Sequence, residues 1–451
     1  MVVLTSLMPV QNRSARSHLV PGRESEGRAQ VLRCWSDWVW SLYSKVPNSV
    51  EFGGLHFFRF LQNLISPFPI LMLRMSADEL ARPFSVLVAG ELPWAEYLPQ
   101  LLFPVTAERT SLGKVPLWRL ARTLRAWGPS VDLMVVRVDR VSSRLFFGNH
   151  YLRVPELVDL HLEVPQNIEA LYSGNRNRNL KNDLRRVRRN RLTAEISHLE
   201  ADLQEFYEQF HVPFVRRRFG KFAWPHNRTL LGGLFRQGGL IWTLQHGRRL
   251  GGCVYVQRGQ ELSLLAIGTV DGDDSVTELG VQVALFHGLV ELAADLGCNS
   301  VNLGGSRPLL TDGSLRFKRK WGARLTPREA SNHLLLHWER LDTSTARALS
   351  GTALVFVDQG HLSAIGTLDR QGLATSEDVS RAVRFLSVPG LHKLYLCSAS
   401  GFEPGLDLPQ HTYLIDLKDD ESIRLPQAVT LKPFGAHAAH AFPPWASGTA
   451  G

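Results

Sequence analysis

The sequence lacks the features that identify disulfide-rich, zinc-binding, secreted and membrane-spanning proteins. Its 451 residues contain four cysteines, which lie far apart and form neither a C-x-x-C pair nor a Cys/His spacing typical of zinc sites. The first residues do not combine a basic start with an unbroken apolar core, so we expect no signal peptide. The most apolar stretch, 55–75, is interrupted by arginine, amide side chains and proline, and fails the requirement of about 20 apolar residues for a membrane span. These absences predict a cytoplasmic protein.

The composition is that of a globular chain with several domains. Hydrophobic residues make up 44% and charged residues 21%, which is enough apolar material for real cores. At roughly 100–200 residues per domain, the length predicts about three domains. We predict an N-terminal α/β region at 1–165, a central domain at 166–340, a small C-terminal α/β module at 341–425 and a disordered tail at 426–451.

The two flanking regions show alternating strand and helix patterns. Short β-branched runs bounded by turn residues predict strands, and apolar residues at helical spacing predict helices. The predicted N-terminal elements are strands at 84–89 and 131–136 and a helix at 116–127. The predicted C-terminal elements are strands at 353–358, 362–367 and 393–397 and a helix at 376–385.

The central domain is predicted to contain one mixed sheet flanked by helices. Three apparent strands at 240–245, 252–257 and 262–268 form an antiparallel meander. A long helix is predicted to start at Ser275 or Thr277 and to run to about 296, where it is followed by a strand at 300–303. We therefore predict an α/β (α+β) fold in which all four strands share a sheet and the long helix packs on it.

A strongly basic helix is predicted near the start of the central domain. The segment 173–191 holds eight basic residues and one acidic residue, a local charge of +7. Leu180, Leu184 and Val187 fall on one helix face, so Arg178, Lys181 and Arg185 fall on the others. This local surplus favours an anionic ligand at one site, although a solvated helix face would give the same pattern.

The strongest chemical signal lies between 303 and 322. Gly304 and Gly305 follow a strand, where backbone N–H groups can approach an anion or a carbonyl oxygen, and Arg307 and Lys318 add positive charge. Ser306 is not a hydrolase nucleophile, because Pro308 stands where the G-x-S-x-G motif needs its last glycine. The alternative is a tight strand-exit loop followed by a solvated basic stretch.

The meander, the long helix, the strand, Gly-Gly-Ser-Arg-Pro and Phe-Lys-x-Lys-Trp-Gly together resemble the GNAT acyltransferase superfamily. Within it, the sequence is most similar to the CelD/BioF-like branch related to the FemABX aminoacyltransferases. The resemblance covers about 145–325 and includes the basic helix. It implies an N-acyltransferase that takes an acyl or aminoacyl group from acyl-CoA, such as acetyl-CoA, or from a tRNA ester. The implied acceptor is a small-molecule or cell-envelope amine, and no metal is implied.

The resemblance also implies roles for particular residues. Lys318 aligns with the family lysine that stabilises the oxyanion or holds an anionic acceptor, and we expect it to be an exposed side chain. The loop residues Gly304, Gly305, Ser306 and Arg307 would line the acceptor pocket. Arg178, Lys181 and Arg185 would contact phosphates of the donor or acceptor. Glu278 is the leading candidate for a general base, and the other candidates are Asp271, Asp273 and Tyr255.

One segment departs from the family pattern, and two other functions stay open. Where CoA-binding relatives carry a glycine-rich pyrophosphate loop before the long helix, this chain has the acidic segment 268–275. The basic helix could instead serve a nucleic-acid-binding protein, or the domain could be a catalytically inactive scaffold. His287 and Glu291 lie one helical turn apart but lack a third ligand, so no metal site is predicted.

Overall fold

The structure is a computed structural model of the protein. It describes residues 48–75, 84–90, 92–102, 107–148, 151–171, 178–223, 225–329, 331–338, 352–368, 372–398, 400–406 and 408–416. The tail predicted at 426–451 lies outside these ranges. Among the described residues, no helix combines the length and the apolar character needed to cross a membrane.

The N-terminal region forms most of a six-stranded sheet with helices beside it. Its helices are α1 (Asn48–Ile65), α2 (Leu92–Leu102), α3 (Leu117–Trp127) and α4 (Arg140–Leu145), and its strands are β1 (Phe68–Met75), β2 (Phe84–Ala89), β3 (Ala107–Val115), β4 (Leu133–Val138) and β5 (Leu152–Pro155). Strand β4 is buried along its whole length, including Arg137, whose guanidinium pairs with Glu156. The predicted helix at 116–127 is confirmed, with Leu117, Leu120 and Leu124 buried on one face.

The central region forms a seven-stranded mixed sheet. Its elements are β6 (Val158–Glu163), α5 (Arg178–Arg189), β7 (Leu192–Ser197), α6 (Glu200–Glu205), α7 (Val212–Phe219), α8 (Arg228–Phe235), β8 (Gly238–Gln245), β9 (Arg248–Arg258), β10 (Glu261–Thr269), α9 (Asp274–Glu278), α10 (Val281–Asp295), β11 (Ser300–Ser306), α11 (Gly313–Arg319) and β12 (Arg324–Pro327). The strand order is β12-β6-β11-β10-β9-β8-β7, and β10 pairs with β11 in parallel. The predicted single sheet with the meander β8-β9-β10 is confirmed.

The long helix of the central region starts later than the sequence predicts. Short helix α9 ends at Glu278, and Gly280 then adopts a left-handed conformation with φ +97° before α10 begins at Val281. A side chain at this φ would be strained, so the glycine separates two helices that an apolar pattern alone would join. Helix α10 packs on the sheet as predicted, through Val281, Leu285 and Leu289 among others.

Two strands belong to a different sheet from the one that the predicted domain boundaries assign to them. Strand β13 (His333–Trp338) inserts between β4 and β5 of the first sheet, although the central domain was predicted to extend to residue 340. Strand β6, which lies before the predicted boundary at 165/166, belongs to the central sheet. The chain therefore enters the central sheet earlier than predicted and returns to the first sheet through β13.

The C-terminal module forms a third sheet that is attached to the loop after β11. Its elements are β14 (Ala353–Asp358), β15 (His361–Leu368), α12 (Ser376–Leu386), β16 (Leu394–Ser398) and β17 (Thr412–Asp416). The Val355 N–H donates to the Pro308 carbonyl (2.7 Å), and the Leu310 N–H donates to the Ala353 carbonyl (2.8 Å). The predicted strands and helix of this module are confirmed, and β17 is an additional strand. The α/β fold class, with a mixed sheet flanked by helices, is confirmed.

Candidate active site

A cavity of about 950 Å³ opens where the parallel strands β10 and β11 stop pairing. Their pairing ends at Ser263 and Asn302, and the next residues of both strands line the cavity. The register of β10 against β9 also shifts just after Leu264, which indicates a bulge at the cavity wall. This volume lies at the upper end of the roughly 300–1,000 Å³ that is usual for ligand sites. The cavity is therefore large enough for an extended ligand.

The cavity wall combines aromatic rings with many positive charges. Aromatic side chains come from α2, α7, α10, α11 and α12, including Tyr97, Phe219 and Phe286. Eight lining residues are lysine or arginine, namely Arg218, Arg307, Arg316, Lys318, Arg319, Lys320, Arg328 and Arg384. The two acidic lining residues are already paired, Glu156 with Arg137 and Asp312 with Arg307. Arg307, Lys320 and Arg328 are paired with carboxylates, and the remaining basic residues leave an excess of positive charge that attracts an anionic ligand.

The four predicted loop residues, Gly304, Gly305, Ser306 and Arg307, all line the cavity. Gly304 has φ +77°, a conformation that favours glycine, and its N–H donates to the Asn302 side chain (2.8 Å). Ser306 is 3% exposed, and its hydroxyl has no hydrogen-bond partner among the described residues. A buried hydroxyl without a partner costs free energy, which a polar ligand atom could recover.

Lys318 lies against this loop, but its environment differs from the prediction. The side chain is 5% exposed, so the expectation of an exposed lysine is wrong. Its Nζ atom donates to the carbonyl oxygens of Gly304 (2.7 Å) and Gly305 (2.8 Å). Burial lowers the pKa of Lys318 to about 7, because the interior disfavours the charged ammonium. Lys318 therefore fixes the loop and brings a titrating amine to the cavity wall.

Two arginines at the loop, Arg307 within it and Arg328 near it, are held by specific contacts. The Arg307 guanidinium lies over the rings of Tyr97 (5.2 Å) and Phe219 (5.3 Å), and its Nε atom is 3.6 Å from Asp312. Arg328 is 7% exposed and donates to Asp159 (3.0 Å). Such paired arginines are charges with a fixed position, which cost little reorganisation when a charged group forms beside them.

The predicted phosphate-binding residues of the basic helix lie outside the cavity wall. Arg178, Lys181 and Arg185 are exposed on α5, whereas the lining residues of that helix are Asn179 and Leu180. The Lys320 Nζ atom lies 3.4 Å from Asp183, which places α5 next to α11. The structure thus puts the basic helix beside the cavity without turning the three predicted side chains into it, and their binding role stays a proposal.

The predicted general bases are placed away from the cavity wall. Glu278 is exposed and is the last residue of α9 rather than the start of the long helix. Asp273 caps α9 by accepting a hydrogen bond from the Ser275 N–H (3.1 Å). None of Glu278, Asp271, Asp273 and Tyr255 is a lining residue. Their role as bases stays a prediction.

Two histidines form a functional candidate that the sequence gives no reason to single out. His211 ends a π-helical segment (Phe206–His211), and such segments are frequent at functional sites. Its Nδ1 atom donates to the Ile267 carbonyl (2.9 Å), so its Nε2 atom accepts from His226 Nδ1 (3.1 Å). Burial lowers the pKa of both rings, which are therefore uncharged at neutral pH. His211 and His226 both line the cavity, but they lie fifteen residues apart and match no motif.

Comparison with protein families identifies the central region. Residues 174–319 match the family model described as an acetyltransferase (GNAT) domain. No curated protein gives a significant match. The segment contains the basic helix, the meander, the glycine loop and Lys318, and the superfamily predicted from those motifs is confirmed.

Several solved structures share a weak likeness. L-PGS from Bacillus licheniformis is 12% identical, with 65% of this chain and 92% of that chain covered at a TM-score of 0.31. FemX is 11% identical, and the match covers 64% of this chain and 96% of the FemX chain at a TM-score of 0.33. A GCN5-related N-acetyltransferase from Sphaerobacter thermophilus is 14% identical, and the match covers 51% of this chain and 71% of that chain at a TM-score of 0.28. These TM-scores are too low for an inference about substrates.

Proposed function

Because residues 174–319 match the GNAT acetyltransferase family model, we propose that the protein transfers an acyl group from an acyl-CoA thioester to an amine. The observation that carries this proposal is the cavity between β10 and β11, with the buried Lys318 amine fixed at its wall. The excess of positive charge along the cavity supports a donor that bears phosphate groups.

The open edge of β10 supports an extended donor with amide groups. Beyond Ser263 this strand pairs with β9 on one side, and no strand among the described residues pairs with its other side. An extended ligand can add to such an edge through main-chain hydrogen bonds, and the pantetheine arm of CoA carries the amides to do so. The thioester would then lie at the Gly304–Gly305 turn, next to Lys318.

The proposed chemistry is direct transfer without an acyl-enzyme. The acceptor nitrogen attacks the thioester carbonyl, and the C–N bond forms as negative charge develops on the carbonyl oxygen. The C–S bond then breaks, the amine loses a proton and the thiolate gains one. Two N–H groups of a charged Lys318 are held by the carbonyls of Gly304 and Gly305, which leaves the third free to donate to the developing oxyanion. Acetyl is the simplest acyl group, and the acceptor is a small-molecule or cell-envelope amine.

The donor is tested by binding and by transfer. Thermal unfolding should be measured with acetyl-CoA, longer acyl-CoAs and aminoacyl-tRNA, since a ligand at 100 times its dissociation constant adds about 2.7 kcal/mol to stability. Transfer of a radiolabelled acetyl group to a panel of amines should follow. Stabilisation by acyl-CoA with transfer supports the proposal, and stabilisation by neither class of donor indicates an inactive scaffold.

The exposed charges of α5 favour a second candidate function, which is binding of RNA. Arg178, Lys181 and Arg185 lie on the surface, where they can reach a backbone too large for the cavity. Each neutralised phosphate of a single strand contributes about 0.7 to the slope of log affinity against log salt. A steep slope together with indifference to acyl-CoA would favour RNA binding over acyl transfer.

A further inference from the structure

Four positive side chains on or next to α11 and α12 line the cavity, and we call them the cationic rim. Arg316 and Arg319 belong to α11, Lys320 follows that helix, and Arg384 lies near the end of α12. All four line the cavity. The rim is therefore built from two parts of the chain, the GNAT-type domain and the C-terminal module.

Contacts between α11 and α12 hold the rim in place. Arg319 donates to the carbonyl oxygens of Arg384 (3.0 Å) and Phe385. The Arg316 guanidinium lies 4.8 Å from the centre of the Phe385 ring. These contacts attach the end of α12 to α11, so the Arg316 and Arg384 side chains are brought to the same edge of the cavity.

The rim lacks a matching negative charge. Among the described residues the one acidic contact is Asp183 with Lys320, and neither Arg316 nor Arg384 has an ion pair. Burial is the main cause of a lowered pKa of Arg319, and repulsion from the nearby Arg316 charge lowers it further. An anion would relieve this repulsion, and guanidinium groups bind phosphate with paired hydrogen bonds.

The segment before α10 carries negative rather than positive charges. Asp271, Asp273 and Glu278 precede that helix and are close in sequence to the cavity residues Thr277 and Gln282, although none of the three lines the cavity. Negative side chains repel a phosphate, so this segment is a poor place for one. The basic residues of α11 and α12 line the cavity and these acidic residues do not, so the rim is the better candidate for binding an anion.

We propose that the cationic rim binds the phosphate groups of the donor and that the C-terminal module thereby contributes to the donor site. This inference rests on the proposed acyl-CoA function and deepens it. The donor runs from the rim, past the open edge of β10, to Lys318. Arg316 and Arg384 are the phosphate-binding residues. Arg319 positions Arg384 through the hydrogen bond from its side chain to the Arg384 backbone carbonyl.

The test uses the full chain with Arg316 and Arg384 both changed to Gln. The Michaelis constant for acetyl-CoA should rise by about tenfold or more, because two charged hydrogen-bond donors are lost. The constant for acetyl-pantetheine, which has no phosphate, should stay the same, and so should the turnover number. Arg381→Gln is the matched control, since Arg381 lies on the same helix, pairs with Glu377 (2.8 Å) and does not line the cavity.

A binding measurement separates this inference from the proposed function. Titration calorimetry with inorganic pyrophosphate should give binding to the wild type and to Arg381→Gln, and a loss of about tenfold or more in affinity for the double variant. Loss of pyrophosphate binding would support the rim even if no acyl transfer were found. Transfer with an unchanged Michaelis constant, or equal pyrophosphate binding by all variants, would overturn it. A double variant that lost binding of tRNA while keeping that of acetyl-CoA would also overturn it.

Discussion

The two basic helices α5 and α11 differ in what their charges face. Helix α5 carries Arg178, Lys181, Arg185, Arg186, Arg188 and Arg189, yet none of these lines the cavity. Helix α11 carries only Arg316, Lys318 and Arg319, and all three line it. The helix with the smaller charge contributes more of the cavity lining, so charge density along the sequence does not identify the helix that faces the cavity.

The phase of each helix against its apolar residues explains the difference. In α5, Leu180 and Leu184 pack into the core, which turns the basic residues between them toward water. In α11, Leu315 is buried and Lys318 follows three residues later, on the same face. The apolar contact therefore carries the lysine inward, where its amine meets two backbone carbonyls. Whether a basic side chain faces the cavity or the solvent depends on its position relative to the buried face of its helix.

The largest expected effect is a loss of turnover when Lys318 is replaced, which replacement of an exposed lysine should not cause. Lys318→Met should lower the turnover number by about 10²–10³, the usual cost of removing one oxyanion donor. Lys181→Met on α5 should change it by less than about twofold, because its charge is exposed. Steady-state kinetics with acetyl-CoA, on variants shown by thermal unfolding to be folded, measures both.

Lys320→Met is the local control, since Lys320 lies two residues away and is exposed. At saturating acetyl-CoA it should keep most of the turnover number if Lys318 acts through its position, even where the loss of one rim charge raises the Michaelis constant. Equal losses in the Lys318 and Lys320 variants would show that general electrostatics is responsible, and full activity of Lys318→Met would remove Lys318 from the mechanism.

The second prediction concerns stability against pH. The folded-state pKa of Lys318 is about 7, below the value of about 10.4 for an unfolded lysine, so between these values the unfolded chain binds the extra proton. The free energy of unfolding should therefore rise with pH in this window, by up to about 1.4 kcal/mol per pH unit from this group. Lys318→Met should lose that part of the slope.

Lys181→Met is the matched variant for this measurement and should keep the wild-type slope. Denaturant unfolding at a series of pH values between about 7 and about 10 gives the slopes directly. Identical slopes for the wild type and Lys318→Met would mean that the buried amine stays charged through this range.

Sequence patterns predicted the parts of this protein that depend on nearby residues. The apolar runs of β8, β9 and β10 and the glycine turn at Gly304 are local signals, and the structure has them where expected. The split at Gly280 was missed because apolar spacing continues through it, and one left-handed residue interrupts the helix without changing the pattern. Local sequence patterns therefore identify a helix or strand more reliably than they identify its first and last residues.

The features that depend on distant contacts could not be predicted in the same way. Strand β13 reaches the first sheet after an entire second sheet has intervened. The His211–His226 pair depends on a hydrogen bond to Ile267, and the cationic rim joins residues more than sixty positions apart. None of these has a fixed spacing in the sequence, since each is set by how sheets and helices pack. The chemistry-bearing loop could be found from sequence, and its surroundings could not.

The smallest expected effect tests whether α5 takes any part in donor binding. Changing Arg178, Lys181 and Arg185 together to Gln should raise the Michaelis constant for acetyl-CoA by about twofold at low salt, since exposed charges beside the cavity act over distance and weakly. At an ionic strength of about 0.15 M the screening length is about 8 Å, and the difference should nearly vanish. The turnover number should not change at either salt concentration. A rise as large as that of the Arg316/Arg384 variant, persisting at high salt, would mean that donor phosphates bind α5 directly and would reverse the contrast between the two helices.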